Sequence, residues 1–261
     1  MININRNNLN GMIDSTWRDF HNVSSMPRLV KDSIPILWFG DIDAYEKSDR
    51  QIVTVGLNPS KMEFEEVPNK GVDVRFSKAS SLVGKNTLSS ADCAVYASAM
   101  NEYFSNNPYD RWFRRYEFLL KQLDSSYYKD GDYSSVHIDI CSPVATDPTW
   151  GGLCANSTSV LMKKNTFSTL LNILNPQIIL VSANKDLVES DFGANGWNTH
   201  AIKKNAYVRS KRFNGRIVIW GYNFRGTPFG GMTDIELKKT FNDIKKYYNL
   251  NSNIQKTKKH P

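Results

Sequence analysis

Four short, nearly continuous apolar runs constrain this chain more than any other feature. They are Gln51–Leu57 (QIVTVGL), Val136–Cys141 (VHIDIC), Gln177–Ser182 (QIILVS) and Arg216–Trp220 (RIVIW). Each is rich in β-branched residues and bounded by turn formers: Asn58-Pro59, Ser142-Pro143, Asn175-Pro176 and Asn214-Gly215. A strand exposed on one face alternates apolar and polar residues. Runs without alternation predict strands buried on both faces, as in a parallel sheet covered by helices. Between them the spacing predicts helices over 91–104, 111–123, 160–174 and 233–248, the last with Thr233 as N-cap before Glu236. Strands alternating with helices predict an α/β chain with right-handed crossovers, a three-layer α/β/α sandwich on a four-stranded, mostly parallel sheet. Residues 1–33 read as an N-terminal helix and polar connector, 34–250 as the α/β domain, and 251–261 as a basic tail. The segment 201–213 reads as a hairpin or an extended basic loop.

Composition narrows the function classes. The 261 residues contain no run of about 18 apolar residues, and the N-terminus lacks the apolar stretch of a secretory signal. Cys93, Cys141 and Cys154 are scattered and form no CxxC pair, which suits reduced thiols in the cytoplasm and supplies neither a zinc site nor an iron–sulfur pattern. No metal or cofactor is expected, and a monomer is expected. Net charge is +7, and it is uneven: residues 201–261 hold 14 Lys and Arg against 3 acids, so the rest of the chain is slightly acidic. A basic C-terminal quarter suits a polyanionic partner, since each neutralised phosphate releases counterions. DNA is the expected partner, through Lys203, Lys211 and Arg212 among others.

In parallel sheets, ligands sit beyond the carboxyl ends of the strands. That selects 56–60, 139–150 and 221–231 as candidate site loops. In the first, Gly56 permits close approach of another group, Pro59 stiffens the turn, and Asn58 presents a held carboxamide beside Ser60. In the second, Asp139 is a base-edge reader, a proton acceptor for water or a helix cap. His137, two residues earlier, reads as a core histidine. Thr146 and Trp150 read either as pocket lining, with Trp150 stacking, or as packed loop anchors. The stretch 110–116 (DRWFRRY) suits phosphate contact and stacking or, equally, an amphipathic helix.

Together, the strand order and the motif Gly56-Leu57-Asn58-Pro59 resemble the uracil-DNA glycosylase superfamily, whose mismatch-specific and thymine-DNA branches carry Gly-x-Asn-Pro after the first strand. The resemblance spans roughly residues 34–248. It implies a hydrolase that extrudes a base from DNA and cleaves its N-glycosidic bond, leaving an abasic site. Asn58 would position the attacking water and Phe76 would stack on the flipped base. The family's second motif falls on 221–228 (GYNFRGTP). Many members have a His there and this chain does not, so leaving-group stabilisation passes to Asn223 or Arg225. Phe224 and Arg225, with Gly226 and Thr227, would form the loop that enters the duplex. The long segments 61–135 and 195–215 imply room for a bulky modified base, such as a hypermodified phage pyrimidine, and hence a role in antiviral defence. The alternative is a catalytically silent relative that binds or senses nucleic acid.

Overall fold

A computed structural model describes residues 3–66, 69–128, 133–162, 165–204, 206–222 and 226–250. In chain order these form α1 (Arg6–Val23), α2 (Ile42–Lys47), β1 (Ile52–Gly56), α3 (Ser90–Asn101), α4 (Tyr103–Asn106), α5 (Asp110–Lys121), β2 (Ser135–Asp139), α6 (Ala155–Leu161), α7 (Thr166–Leu174), β3 (Ile178–Val181), α8 (Lys185–Phe192), β4 (Asn198–Lys203), β5 (Ala206–Phe213), β6 (Arg216–Gly221) and α9 (Asp234–Tyr247). The four apolar runs are β1, β2, β3 and β6. They lie side by side and parallel, in the order β2-β1-β3-β6. Every residue of β1 and β3 is buried, as unalternated runs require.

The sheet is larger than the apolar runs foretold. It has six strands and is mixed: β5 pairs antiparallel with β6, and β4 antiparallel with β5 at the edge. The four-stranded sheet is therefore corrected to a six-stranded α/β sheet, with 201–213 resolved as a hairpin arm. Helix ends follow their capping chemistry. Thr233 and Glu236 form a reciprocal capping box at the start of α9, and Ser89 with Asp92 does the same for α3. Asn175 closes α7 in the left-handed conformation (φ 41°) just before Pro176. The predicted 160–174 helix is two helices, α6 and α7.

The N-terminal segment is not separate from the core. Leu9, Ile13 and Trp17 of α1 join one hydrophobic cluster that includes all four parallel strands and α9. Trp17 Nε1 donates to the Lys85 carbonyl at 2.8 Å, and an isolated bridge joins Leu29 to Thr146. Residues 251–261, the predicted basic tail, lie outside the described residues.

Topology fixes where a ligand can sit. The chain leaves β1 toward β2 on one side and leaves β3 toward β6 on the other. The loops after β1 and β3 thus diverge and open a crevice at their carboxyl ends.

Candidate functional site

That crevice holds a cavity of about 400 Å³, of a size suited to a small organic ligand. Leu57, Asn58, Pro59 and Ser60 border it from the β1 loop, Asp139 and His137 from β2, and Asn184 from the β3 loop. Gly226 follows β6, and Thr146, Thr149 and Trp150 come from the β2 loop. Phe39, Tyr109, Trp112 and Phe113 complete an aromatic wall. The structure places Asn58, Pro59, Ser60, Asp139, Thr146 and Trp150 around one cavity, together with Gly226, which the sequence reading puts in the duplex-entering loop; Gly56 is not among the lining residues.

Asn58 is held by its amide nitrogen, which donates to the carbonyls of Pro59 (3.1 Å) and Val144 (3.0 Å) and to Thr146 Oγ1 (3.1 Å). With Nδ2 committed to protein acceptors, Oδ1 of this half-buried side chain on the cavity wall receives no hydrogen bond from the described residues. Ser60 caps the following 3-10 turn, accepting from Met62 N at 3.1 Å, and pairs in a short bridge with Thr146.

The floor follows from strand register. Thr54 lies opposite His137, and Gly56 opposite Asp139. Period-two alternation puts all four on one face. Thr54 Oγ1 and His137 Nδ1 are 2.7 Å apart, and the Tyr127 hydroxyl hydrogen-bonds Thr54 on its other side. His137 Nε2 lies 3.5 Å from Asp139 Oδ1, and both side chains are almost fully buried. Gly56 makes this possible. A Cβ there would sit 2.6 Å from Asp139 Oδ1 and 2.9 Å from His137 Nε2. His137 is a core histidine and also a cavity residue, so both descriptions hold.

Several expected residues fall elsewhere. Phe76 does not line the cavity. It is buried behind Phe39, its ring stacked 5.5 Å from Tyr103, so it packs the core and Phe39 supplies the aromatic surface. Lys211 is also corrected: it is buried, donates to the carbonyls of Gly193 (3.0 Å) and Asn195 (2.8 Å), and lies over the Trp197 ring. Lys203 pairs with Glu236 at 2.6 Å. Arg212 is exposed over Tyr248 but sits opposite Ile217, near the amino end of β6 and so away from the cavity. Thr227 is exposed beside Gly226. Asn223, Phe224 and Arg225 lie outside the described residues. In the 110–116 stretch, Trp112 and Phe113 face the cavity, while Arg115 ties α5 to Met232 O and Asp234. Among the described residues no group of three His, Cys, Asp or Glu is placed to hold a metal ion, and no helix is long and apolar enough to cross a membrane.

Sequence reasoning missed Glu63. It borders the cavity five positions after Asn58 and is only 2% exposed. The Tyr103 hydroxyl donates to its Oε2 at 2.6 Å, and Arg75 Nε is 3.6 Å from the same oxygen. Burial pushes its carboxyl up to about 8, against the opposing pull of Tyr103 and Arg75 and with a smaller push from Asp139. The only signal in the sequence is an acid set between Met62 and Phe64. A carboxyl that is more basic when folded favours the fold at low pH, where it is neutral in both states. Stability is expected to fall as pH rises from about 4.5 to about 8, by at most about 5 kcal/mol at about 1.4 kcal/mol per pH unit. Glu63→Gln removes that slope, so urea midpoints of the two proteins should converge at pH 5 and separate, with the variant more stable, at pH 8.5.

The chain matches no known protein family and no curated protein.

Proposed function

We propose that this protein is a DNA glycosylase of the uracil-DNA glycosylase type, hydrolysing the N-glycosidic bond of a flipped modified or damaged base and leaving an abasic site. One observation carries the reading: Asn58 and the carboxylate of Asp139 border the same aromatic-walled cavity at the crevice of a parallel sheet. Breaking this bond builds positive charge on the sugar and negative charge on the departing base. The enzyme must hold water on one face of the sugar and keep the extruded base stacked in a dry pocket. Asn58 Oδ1 accepts a hydrogen bond from the water, and Asp139 takes its proton. The Tyr127–Thr54–His137 chain keeps the imidazole turned to Asp139. Phe39, Tyr109, Trp112 and Trp150 provide the stacking surface. Asn223 and Arg225 are the candidates for the base edge and the phosphate, with Phe224 as the wedge.

The resemblance of Gly56-Leu57-Asn58-Pro59 to the family's first motif supports the same reading, as does the basic C-terminal quarter. A cavity of about 400 Å³ leaves room for a base with a bulky substituent, and a role in antiviral defence, in the cytoplasm and as a monomer, is part of the same proposal. The test is direct. Incubation with DNA containing uracil, mismatched thymine, hydroxymethylated cytosine or glucosylated cytosine is expected to yield alkali-labile abasic sites on at least one of them. Release of no base from any, with DNA binding intact, would establish a nucleic-acid binder of the same fold instead.

A further inference from the structure

We propose that Glu63 is the acid of this site: its Oε1 carries the proton that passes to a ring nitrogen of the bound nucleobase, which selects amino-type bases of the cytosine class over uracil and thymine. The inference rests on the glycosylase reading for its chemical step, but the recognition it describes can be measured without turnover.

Geometry sets the direction of the proton. The hydrogen bond from Tyr103 and the ion pair with Arg75 both fall on Oε2 of the Glu63 carboxyl. Both partners are donors, so Oε2 is occupied as an acceptor and the proton resides on Oε1. Among the described residues no hydrogen bond or ion pair falls on Oε1, and the residue borders the cavity. The groups around it are fixed. Tyr103, on α4, accepts from Tyr109 N at 2.9 Å, and Arg75 is held by the carbonyls of Met62 and Asn107. Asp139 and His137 face the same cavity from β2. Tyr103, which donates to the carboxyl, packs 4.8 Å from Phe39 and accepts from Tyr109 N, so Glu63 borders the cavity from the side of its aromatic wall, where a stacked base would present its edge. The raised basicity of this carboxyl, caused mainly by burial, keeps it protonated near neutrality.

A neutral carboxyl that shows the cavity only an O–H complements an edge with a lone pair. Cytosine offers its unprotonated ring nitrogen there, whereas uracil and thymine present an N–H that opposes the donor. The step balances. The C1′–N bond breaks with its electron pair going to the base, and the Glu63 proton bonds to the base ring nitrogen. Water oxygen bonds to C1′ and gives its proton to Asp139, and solvent exchange returns a proton from Asp139 to Glu63. The net change is one water consumed per base released. Protonation matters most for an amino-type base, which cannot spread the departing charge over two carbonyls.

Calorimetric binding of free cytosine and free uracil, followed from pH 6 to 9.5, tests the assignment on the intact protein. Cytosine is expected to bind at least about tenfold more tightly than uracil at pH 7, and to lose affinity about tenfold per pH unit once Glu63 ionises. In Glu63→Gln, whose amide still donates but does not titrate, cytosine affinity is expected to be flat with pH, and base release from DNA to fall by about 10²–10⁴-fold. Tyr103→Phe removes the hydroxyl that lowers the Glu63 carboxyl, so its alkaline limb should move upward; this holds the test open if the Gln variant folds poorly. Identical pH profiles for wild type and Glu63→Gln, equal binding of both bases, or no binding of either overturns the proposal. Cytosine binding with this pH dependence but no abasic sites in any DNA would leave Glu63 as the recognising acid and overturn the glycosylase reading alone.

Discussion

Asn58→Ala is expected to lower abasic-site formation by about 10²–10³-fold, the usual loss when one preorganised polar group is removed from a reacting centre, while DNA affinity changes by no more than about twofold. The split follows from the position of the residue. Its side chain lines the cavity wall, whereas the proposed DNA affinity rests on charge at the surface. Asn58 has two duties, however. Its Nδ2 also ties the β1 loop to the Val144 carbonyl and Thr146. Truncation leaves that buried carbonyl unpaired at a cost of about 1–3 kcal/mol. A lower urea midpoint should therefore accompany the loss of turnover. The two effects separate by measuring rates well below the melting temperature, where the variant remains folded. Full turnover by Asn58→Ala would remove the water-holding role, and the water would have to be held by Asp139 alone.

What the sequence made legible, and what it hid, follows from how local each signal is. The parallel strands were readable because burial on both faces leaves no choice but Val, Ile and Leu, as in β3 (Ile178–Val181). β4 carries no such mark. Its residues, Asn198-Thr199-His200-Ala201-Ile202-Lys203, are largely exposed at the sheet edge, so no apolar run marks it. Lys211 and Arg212 looked alike as neighbouring cations, but strand alternation turns one inward over Trp197 and the other out to solvent. Phe76 looked available because its chain neighbours are polar. Its burial is tertiary, created by Phe39, Phe64 and Tyr103 from other segments. Glu63 is the converse case. Nothing local marks this acid: its raised basicity comes mainly from burial, against the pull of Tyr103 and Arg75, which the fold carries to it from 40 and 12 positions away. Gly56 was readable as a point of close approach, and the groups that approach it are Asp139 and His137 from the neighbouring strand.

Gly56→Ala is expected to impair the site more completely than its single methyl group suggests. The added Cβ would stand 2.6 Å from Asp139 Oδ1, 2.9 Å from His137 Nε2 and 3.2 Å from His137 Cε1. Contacts that short force movement, and neither partner can yield cheaply. The His137 ring is locked by Thr54 at 2.7 Å and packed edge-on against Phe113 at 5.1 Å. Asp139 has little room, because its side chain is almost wholly buried. The strain falls on the Asp139 carboxylate, the group proposed to take the proton of the water, and displacing it by about 1 Å is expected to cost on the order of 10²-fold in turnover. Overpacking should cost about 1–3 kcal/mol of stability as well. Gly11→Ala offers the contrast. Gly11 lies within α1 and nothing stands within 4 Å of its added Cβ. There Ala should stabilise by about 0.8–1 kcal/mol through helix propensity and leave turnover unchanged. A Gly56→Ala protein as active and as stable as wild type would mean that Asp139 and His137 can be displaced without consequence, and the chemistry would then lie elsewhere than on the β1–β2 floor.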